Sequence, residues 1–386
     1  MSERRGTLTL KWRQVNAWRL SQHCLSQRLA HRNFVEAATR IGGVQAQVMS
    51  AAEMALGARV DGLAPRDVQS ALWRERTLVK TWLMRGTLHL VPAVELPLYV
   101  AARAAHEASS AHKAPRWAKY FAHFGIKAAQ YEAFIACIPQ ILGAEPMTRE
   151  QLAMAAAKQI RAPKLARLLA SSSWGSLWKP SAWRGELCFG PNLGRNVTFV
   201  NPARWIGERA PLDPHSALRQ IARRYLRAYG PATAKDFALW WGFGLAPARK
   251  IFQSMEDEIE TVEVEGWQAY ALRETLEPMR RLETTGLVNL LPLFDAYVMG
   301  IGRGAAIAAL LPRQYQARVL RPQGWISAVV LADGYLKGVW SLENRGRKAI
   351  ASVRMFSPPA RPVRTRLEAE VERLGAFLDT EILLKL

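Results

Sequence analysis

A chain of 386 residues, 49% hydrophobic and 22% charged, is too apolar for wholesale disorder and long enough for roughly two to four compact units. Its 53 lysines and arginines against 32 acidic residues leave a formal charge of +21, the electrostatic footprint of a polyanion binder. No run of about 18 apolar residues is present, and the opening Met-Ser-Glu-Arg-Arg-Gly lacks the apolar core of a signal peptide, so neither a membrane partner nor export is expected.

From Leu10 to Ile41 the apolar residues Val15, Trp18, Leu20, Leu25 and Leu29, then Phe34, Val35, Ala38 and Ile41, fit two helices of period 3.6 broken near His31-Arg32-Asn33. Gly42-Gly43 ends the second. Ala51 to Val60 reads as another helix, and Pro65 opens the next, which runs to about Arg76. Thr77–Leu83 and Thr87–Val91 read as short strands joined at Met84-Arg85-Gly86. Helices followed by a hairpin describe a winged helix, and residues 1–110 form the first such unit.

The same order recurs over 111–210: a helix starting at Thr148-Arg149-Glu150-Gln151, a basic helical stretch from Lys158 to Leu169, and a hairpin of 186–189 with 197–200 turning through Pro191-Asn192-Leu193-Gly194. A third copy occupies 211–285, with helices Ala217 to Tyr229, one ending at Trp241 and Ala246 to Met255, then strands 259–264 and 268–272. Residues 286–386 change to short alternating runs at 288–291, 325–331, 335–340 and 349–355, the pattern of a compact β-barrel-like domain. Leu367, Val371, Leu374 and Phe377 predict an amphipathic helix packed on it. The fold class is therefore α+β: three tandem winged-helix units plus a C-terminal β-barrel-like domain.

Charge follows this division. Residues 1–250 hold 36 basic and 15 acidic side chains, whereas 251–300 hold 3 and 10. Cys24, Cys137 and Cys188 are odd in number and widely spaced, which indicates neither a disulfide framework nor a zinc site, and suits a reducing cytoplasmic compartment. The seven histidines show no metal-binding spacing and no phosphate-binding glycine loop occurs, so no metal or other cofactor is expected.

The segment Gly42-Gly43-Val44-Gln45-Ala46-Gln47-Val48 is the most unusual string. On a helix Gln45 and Gln47 would point about 200° apart, but in an extended or turning segment both amides can face one cleft. An amide both donates and accepts, so a pair can hold and orient one water without acting as a strong base. Read on its own, such a pair is more often a helix cap or a solvated loop. Arg85, Thr87 and His89 sit where a wing turn would approach a phosphate, or simply bond neighbouring backbone. His89 has no metal-ligand partner. Asn192 and Arg195 lie in a polar, flexible turn of the composition that enters a minor groove, or in an ordinary hairpin loop. Trp174, Lys179, Trp183 and Arg184 interleave aromatics with cations, which suits base stacking, though fourteen tryptophans mean that most are core. Arg223 shares a helix face with Arg219 and Arg227, beside Arg224, and reads as phosphate contact or solvated surface.

Taken together, Gly42-Gly43-Val44-Gln45-Ala46-Gln47, Leu83-Met84-Arg85-Gly86-Thr87-Leu88-His89, Gly185-Glu186-Leu187-Cys188-Phe189-Gly190-Pro191, Tyr229-Gly230-Pro231 with Trp240-Trp241-Gly242, and Leu291-Pro292-Leu293-Phe294-Asp295-Ala296-Tyr297 resemble the AlkZ/YcaQ-like winged-helix DNA glycosylases. The resemblance spans about residues 10 to 300. It implies a C-shaped body of three winged helices plus a β-barrel clasping DNA, with Gln45 and Gln47 as the family's catalytic Gln-x-Gln motif. Other branches carry Gln-x-Asp. It also implies a monofunctional glycosylase acting on N7- and N3-alkylated purines, including bulky adducts and interstrand crosslinks. The expected partner is double-stranded DNA carrying alkylated bases, met by a monomer at the nucleoid. One departure stands out: after Gly300 the family continues with an aromatic and an Asp-Arg pair, whereas this chain reads Ile301-Gly302-Arg303-Gly304 and leaves Asp295 a role in shaping the loop. The competing reading is a non-enzymatic winged-helix regulator or lesion binder, which the basic charge fits equally well.

Overall fold

The strand Leu8–Leu10 does not stay with the residues that follow it in sequence. It runs parallel to Ile259–Val264, with Leu8 opposite Val262 and Leu10 opposite Val264, and completes a three-stranded sheet with Trp267–Leu272. The ring of Trp12, at the start of the first helix Trp12–Gln22, then stacks on Trp267 at 5.3 Å. The computed structural model describes residues 8–110, 125–171, 175, 177–346 and 348–386. Its chain gathers into two units, one of residues 1–68 with 222–386 and one of residues 69–221.

In the discontinuous unit one core joins both sequence ends. Leu10, Val15 and Leu20 from the first helix region pack with Val262, Leu291, Tyr297, Val329 and Leu336. The five-stranded half-barrel runs Val288–Leu291, Val329–Ala332, Tyr335–Arg345, Lys348–Met355 and Glu381–Lys385, antiparallel except for the last pair, which is parallel. The helix Arg361–Leu378 buries Leu367, Val371, Leu374 and Phe377, the stripe its spacing predicts. The alternating pattern did not announce the final strand or the short helices Ala296–Gly300, Ala305–Leu310 and Arg313–Val319.

In the second unit the hairpins Leu78–Trp82 with Leu88–Pro92, and Cys188–Leu193 with Asn196–Val200, fall close to their expected places. Trp82 ties them together: its ring meets Phe189 at 4.7 Å and Phe199 at 5.9 Å. A Cβ on Gly175 would stand 2.3 Å from that ring, so only glycine fits there. Thr148 caps the helix Arg149–Gln159 in a reciprocal box with Gln151. The basic stretch from Lys158 to Leu169 is broken, not continuous. Arg161 takes a left-handed φ of 55° and Pro163 opens a new helix, Pro163–Ser171. Arg161 ends the first helix left-handed, with Ala162 N–H donating to Ala157 O at 2.9 Å, and Pro163 suits a first helical position, where an N–H has no partner.

Candidate functional site

The helix Phe34–Arg40 ends in a Schellman turn. Gly43 N–H donates to Ala38 O at 2.8 Å and Gly42 N–H to Thr39 O at 3.1 Å, with φ of +69° at Gly42 and +97° at Gly43. The turn is clamped from outside: Tyr229 Oη donates to Ile41 O at 2.7 Å, and a Cβ on Gly42 would come within 3.0 Å of Trp240. The chain therefore leaves in one direction, as the extended pair Val44–Gln45. Gln45 is 7% exposed and Ala46 is buried, while Gln47 lies exposed in a bend. The cap alternative fails, because the next helix Met49–Gly57 takes Val48 as its N-cap and no side chain caps it. That helix is held in turn by Phe377, whose ring excludes any Cβ at Gly57, and by Arg373, which donates to Gly57 O at 2.8 Å.

Beneath this segment lies a buried polar node. Arg59 donates to both Asp295 oxygens at 2.8 Å, with neither side chain exposed, and to Ala55 O at 2.7 Å. Asp295 also accepts from Tyr297 N–H at 2.9 Å and so caps the helix Ala296–Gly300. His23 sits 3.4 Å from Arg59; burial, then the charges of Arg59 and Arg19, hold its imidazole neutral, with a pKa well below the usual value. Arg19 donates to Tyr229 O at 2.9 Å and to Pro231 O at 3.0 Å. Within the departure after Gly300, Gly302 takes φ +82° and a Cβ on it would meet Asp236 Oδ1 at 2.1 Å.

In the second unit the tip of the first hairpin holds Arg85 and Gly86 left-handed, at φ of 56° and 67°. Thr87 Oγ1 donates to Met84 O at 3.1 Å, and the His89 Nδ1 donates to Thr87 O at 3.0 Å. Thr87 and His89 thus take the backbone-bonding alternative. His89, 1% exposed, presents no face to a duplex; its Nε2 instead lies 3.5 Å from Arg85 Nη2. Burial and then Arg85 push its pKa down to about 3, which leaves Nε2 a neutral acceptor that steadies the guanidinium. A Cβ on Gly86 would be 3.5 Å from Lys179 Nζ and 3.6 Å from Trp183. Trp183 is not a bare stacking platform, because Arg103 covers its ring at 3.8 Å.

Arg103, absent from the sequence expectation, is the centre of this cluster. It bonds His106 Nδ1 at 2.8 Å, and burial drives its own pKa down to about 10 despite Glu107. Burial and then the Arg103 charge lower Lys179 too, and take His106 to about 4. Burial and the Arg103 charge thus disfavour the charged forms of Lys179 and His106, while Glu107 pairs with Arg103 at 3.7 Å.

His89 and His106 make this unit acid-sensitive. An unfolded histidine binds its proton near pH 6.5, but these two do so only near 3 and 4 when folded. The unfolded chain therefore binds more protons in that window, and stability falls as pH drops below about 6.5, by roughly 2 kcal/mol per histidine at pH 5. Urea midpoints should be lower at pH 5 than at pH 7, with part of the difference lost in His106→Gln. Equal midpoints would contradict this.

The second hairpin carries Asn192 and Arg195 at an exposed tip. Its turn is Gly194-Arg195, with Leu193 opposite Asn196, rather than Pro191 to Gly194. The strand is prolonged because Thr198 Oγ1 donates to Pro191 O at 2.7 Å. Arg184 pairs with Glu132 at 3.5 Å, and Trp174 lies outside the described residues. Arg223, in the other unit, is not available as expected. Its guanidinium is forked onto Glu258, and Arg227 bonds Glu274, so the acidic stretch 251–300 neutralises this helix face. Among the described residues no three His, Cys, Asp or Glu side chains group as metal ligands, and no helix is long and apolar enough to cross a membrane.

The family model "DNA glycosylase AlkZ-like" matches residues 38–377. A curated relative, an interstrand DNA cross-link repair glycosylase of Streptomyces sahachiroi, is 34% identical over 337 residues, covering 86% of this chain and 88% of its own. The solved structure of the Streptomyces sahachiroi DNA glycosylase AlkZ superposes with a TM-score of 0.84 at 31% identity, covering 98% of this chain and 100% of the other.

Proposed function

This chain belongs to the AlkZ-like family of DNA glycosylases, and from that premise we propose that it hydrolyses the N-glycosidic bond of cationic N7- and N3-alkylated purines in duplex DNA, unhooking interstrand crosslinks. Gln45 and Gln47 position the water. The observation that supports this reading above all is the Schellman turn locked by Tyr229 and Trp240, which launches Gln45 in a fixed extended direction and brings Gln47 to the surface two residues later.

Alkylation at a purine nitrogen leaves the base positively charged. As the bond from C1′ breaks, its electron pair neutralises that charge, so departure needs no strong acid. The sugar left behind is oxocarbenium-like, and a water oxygen bonds to C1′ while its proton passes to solvent. Paired amides orient that water through one accepting and one donating group, without the basicity that would activate it towards neutral lesions. Selectivity for cationic bases then follows from what the site lacks in proton-transfer power.

On this reading the helix and hairpin groups of residues 1–110, 111–210 and 211–285 act as three winged helices, with 286–386 as the β-barrel-like domain. Arg85, Lys179, Asn192 and Arg195 contact the DNA, Thr87 and His89 shape the first wing, and a monomer works at the cytoplasmic nucleoid. Incubation with duplex bearing one N7-methylguanine, followed by hot alkali, should reveal a strand break at the lesion, and an N7-linked crosslink should resolve into single strands. Binding without breaks would leave a DNA-binding protein and defeat the enzymatic reading.

A further inference from the structure

The half-barrel carries a charged groove that the proposed reaction does not use. In the strands Tyr335–Arg345, Lys348–Met355 and Glu381–Lys385, Val339 faces Arg354, Ser341 faces Ser352, and Ser352 faces Lys385, so these side chains share one side of the sheet. Between them Trp340, Ala351 and Val353 are buried, Trp340 and Val353 also lining the groove, and Trp340 lines a small cavity with Leu374 and Phe377 of the helix Arg361–Leu378. Arg318 and Arg321, from the end of the helix Arg313–Val319 and just beyond it, line the same groove. The open groove has a volume of about 1120 Å³.

Its composition is one-sided. Five cations, Arg318, Arg321, Arg354, Arg364 and Lys385, line it together with three serines, and no Asp or Glu side chain does. Arg364 is occupied by Glu368 at 3.3 Å. Among the described residues no carboxylate pairs with Arg321, Arg354 or Lys385, and all three are exposed. Guanidinium, ammonium and hydroxyl groups are the set that contacts phosphate and sugar. A single strand would want exposed rings for its bases, but Trp340, the aromatic residue that lines the groove, is only 7% exposed.

We propose that this groove is a second DNA seat, taking the phosphate backbone of a duplex arm flanking the site of excision. The proposal rests on duplex DNA being the substrate, not on how the bond is cut.

The test uses the full chain and an undamaged 30-base-pair duplex, with affinity followed by anisotropy across a salt series. Arg321→Gln/Arg354→Gln/Lys385→Gln should bind at least tenfold more weakly, with the slope of log affinity against log salt shallower by about 2 to 3, since each lost phosphate contact removes about 0.9. The charge-retaining Arg321→Lys/Arg354→Lys should keep the slope. Thermal midpoints should match throughout, because the altered side chains are exposed. Unchanged affinity and slope in the triple variant would overturn the proposal. So would a loss seen only with oligo-dT, or displacement of the duplex from the groove by millimolar inorganic phosphate alone. Excision from an N7-methylguanine duplex is measured in parallel for the wild type and the triple variant. A failure of both proteins to excise defeats the glycosylase reading while leaving the salt slopes to decide this one.

Discussion

Replacing Gln47 by alanine is expected to lower single-turnover excision of N7-methylguanine by a factor of about 10² to 10³, with duplex affinity unchanged. That is the usual loss when one preorganised hydrogen-bonding group is removed from a reacting centre. Gln47 is exposed and caps no helix, so its truncation leaves no buried group unpaired. Gln45→Ala should lose at least as much activity. Its side chain is 7% exposed, however, so part of its effect will register in thermal stability. Comparing the two variants separates positioning from folding: Gln47→Ala should keep the wild-type melting midpoint. Full excision by both variants would remove the paired amides from the mechanism.

Asp295→Ala should be the most destabilising of these single changes. It strands the Arg59 guanidinium with no exposure to water and removes the cap on Tyr297 N–H. Breaking one side of a buried ion pair costs about 3 to 5 kcal/mol. At ~2–4 °C per kcal/mol for a body of this size, the melting midpoint should fall on the order of 10 °C. Asp295→Asn keeps the shape but not the charge and should fall between. Calorimetry showing Asp295→Ala within about 2 °C of wild type would refute a structural role for the pair. The node backs the segment that launches Gln45: Arg19 holds the Tyr229 carbonyl and Tyr229 holds Ile41. Excision should therefore decline alongside stability.

Local pattern carried far. The double glycine after Ile41 marked a helix end and a change of direction, because only glycine takes two successive left-handed residues without strain. Thr148 with Gln151 marked a helix start, and the stripe from Leu367 to Phe377 marked a buried face. The charge imbalance located the basic regions. It could not say which cations were already spent, as Arg223 on Glu258 shows.

Sequence by itself determined the kinds of elements, their order and the family, since these rest on spacing over a few residues and on motifs that stand in line. Folding decided which distant groups meet. Leu8 pairs with Val262, Arg59 with Asp295 and Lys385 with Ser352, each across more than 30 residues and none visible in any local period. Burial, too, is a property of the assembled core: it turned His89 from an expected contact into a neutral prop for Arg85, and left Gln45 enclosed while Gln47 faces water. Hydrogen bonds and charges acquire their strength from the surroundings that packing creates, and those surroundings are built from residues far away along the chain.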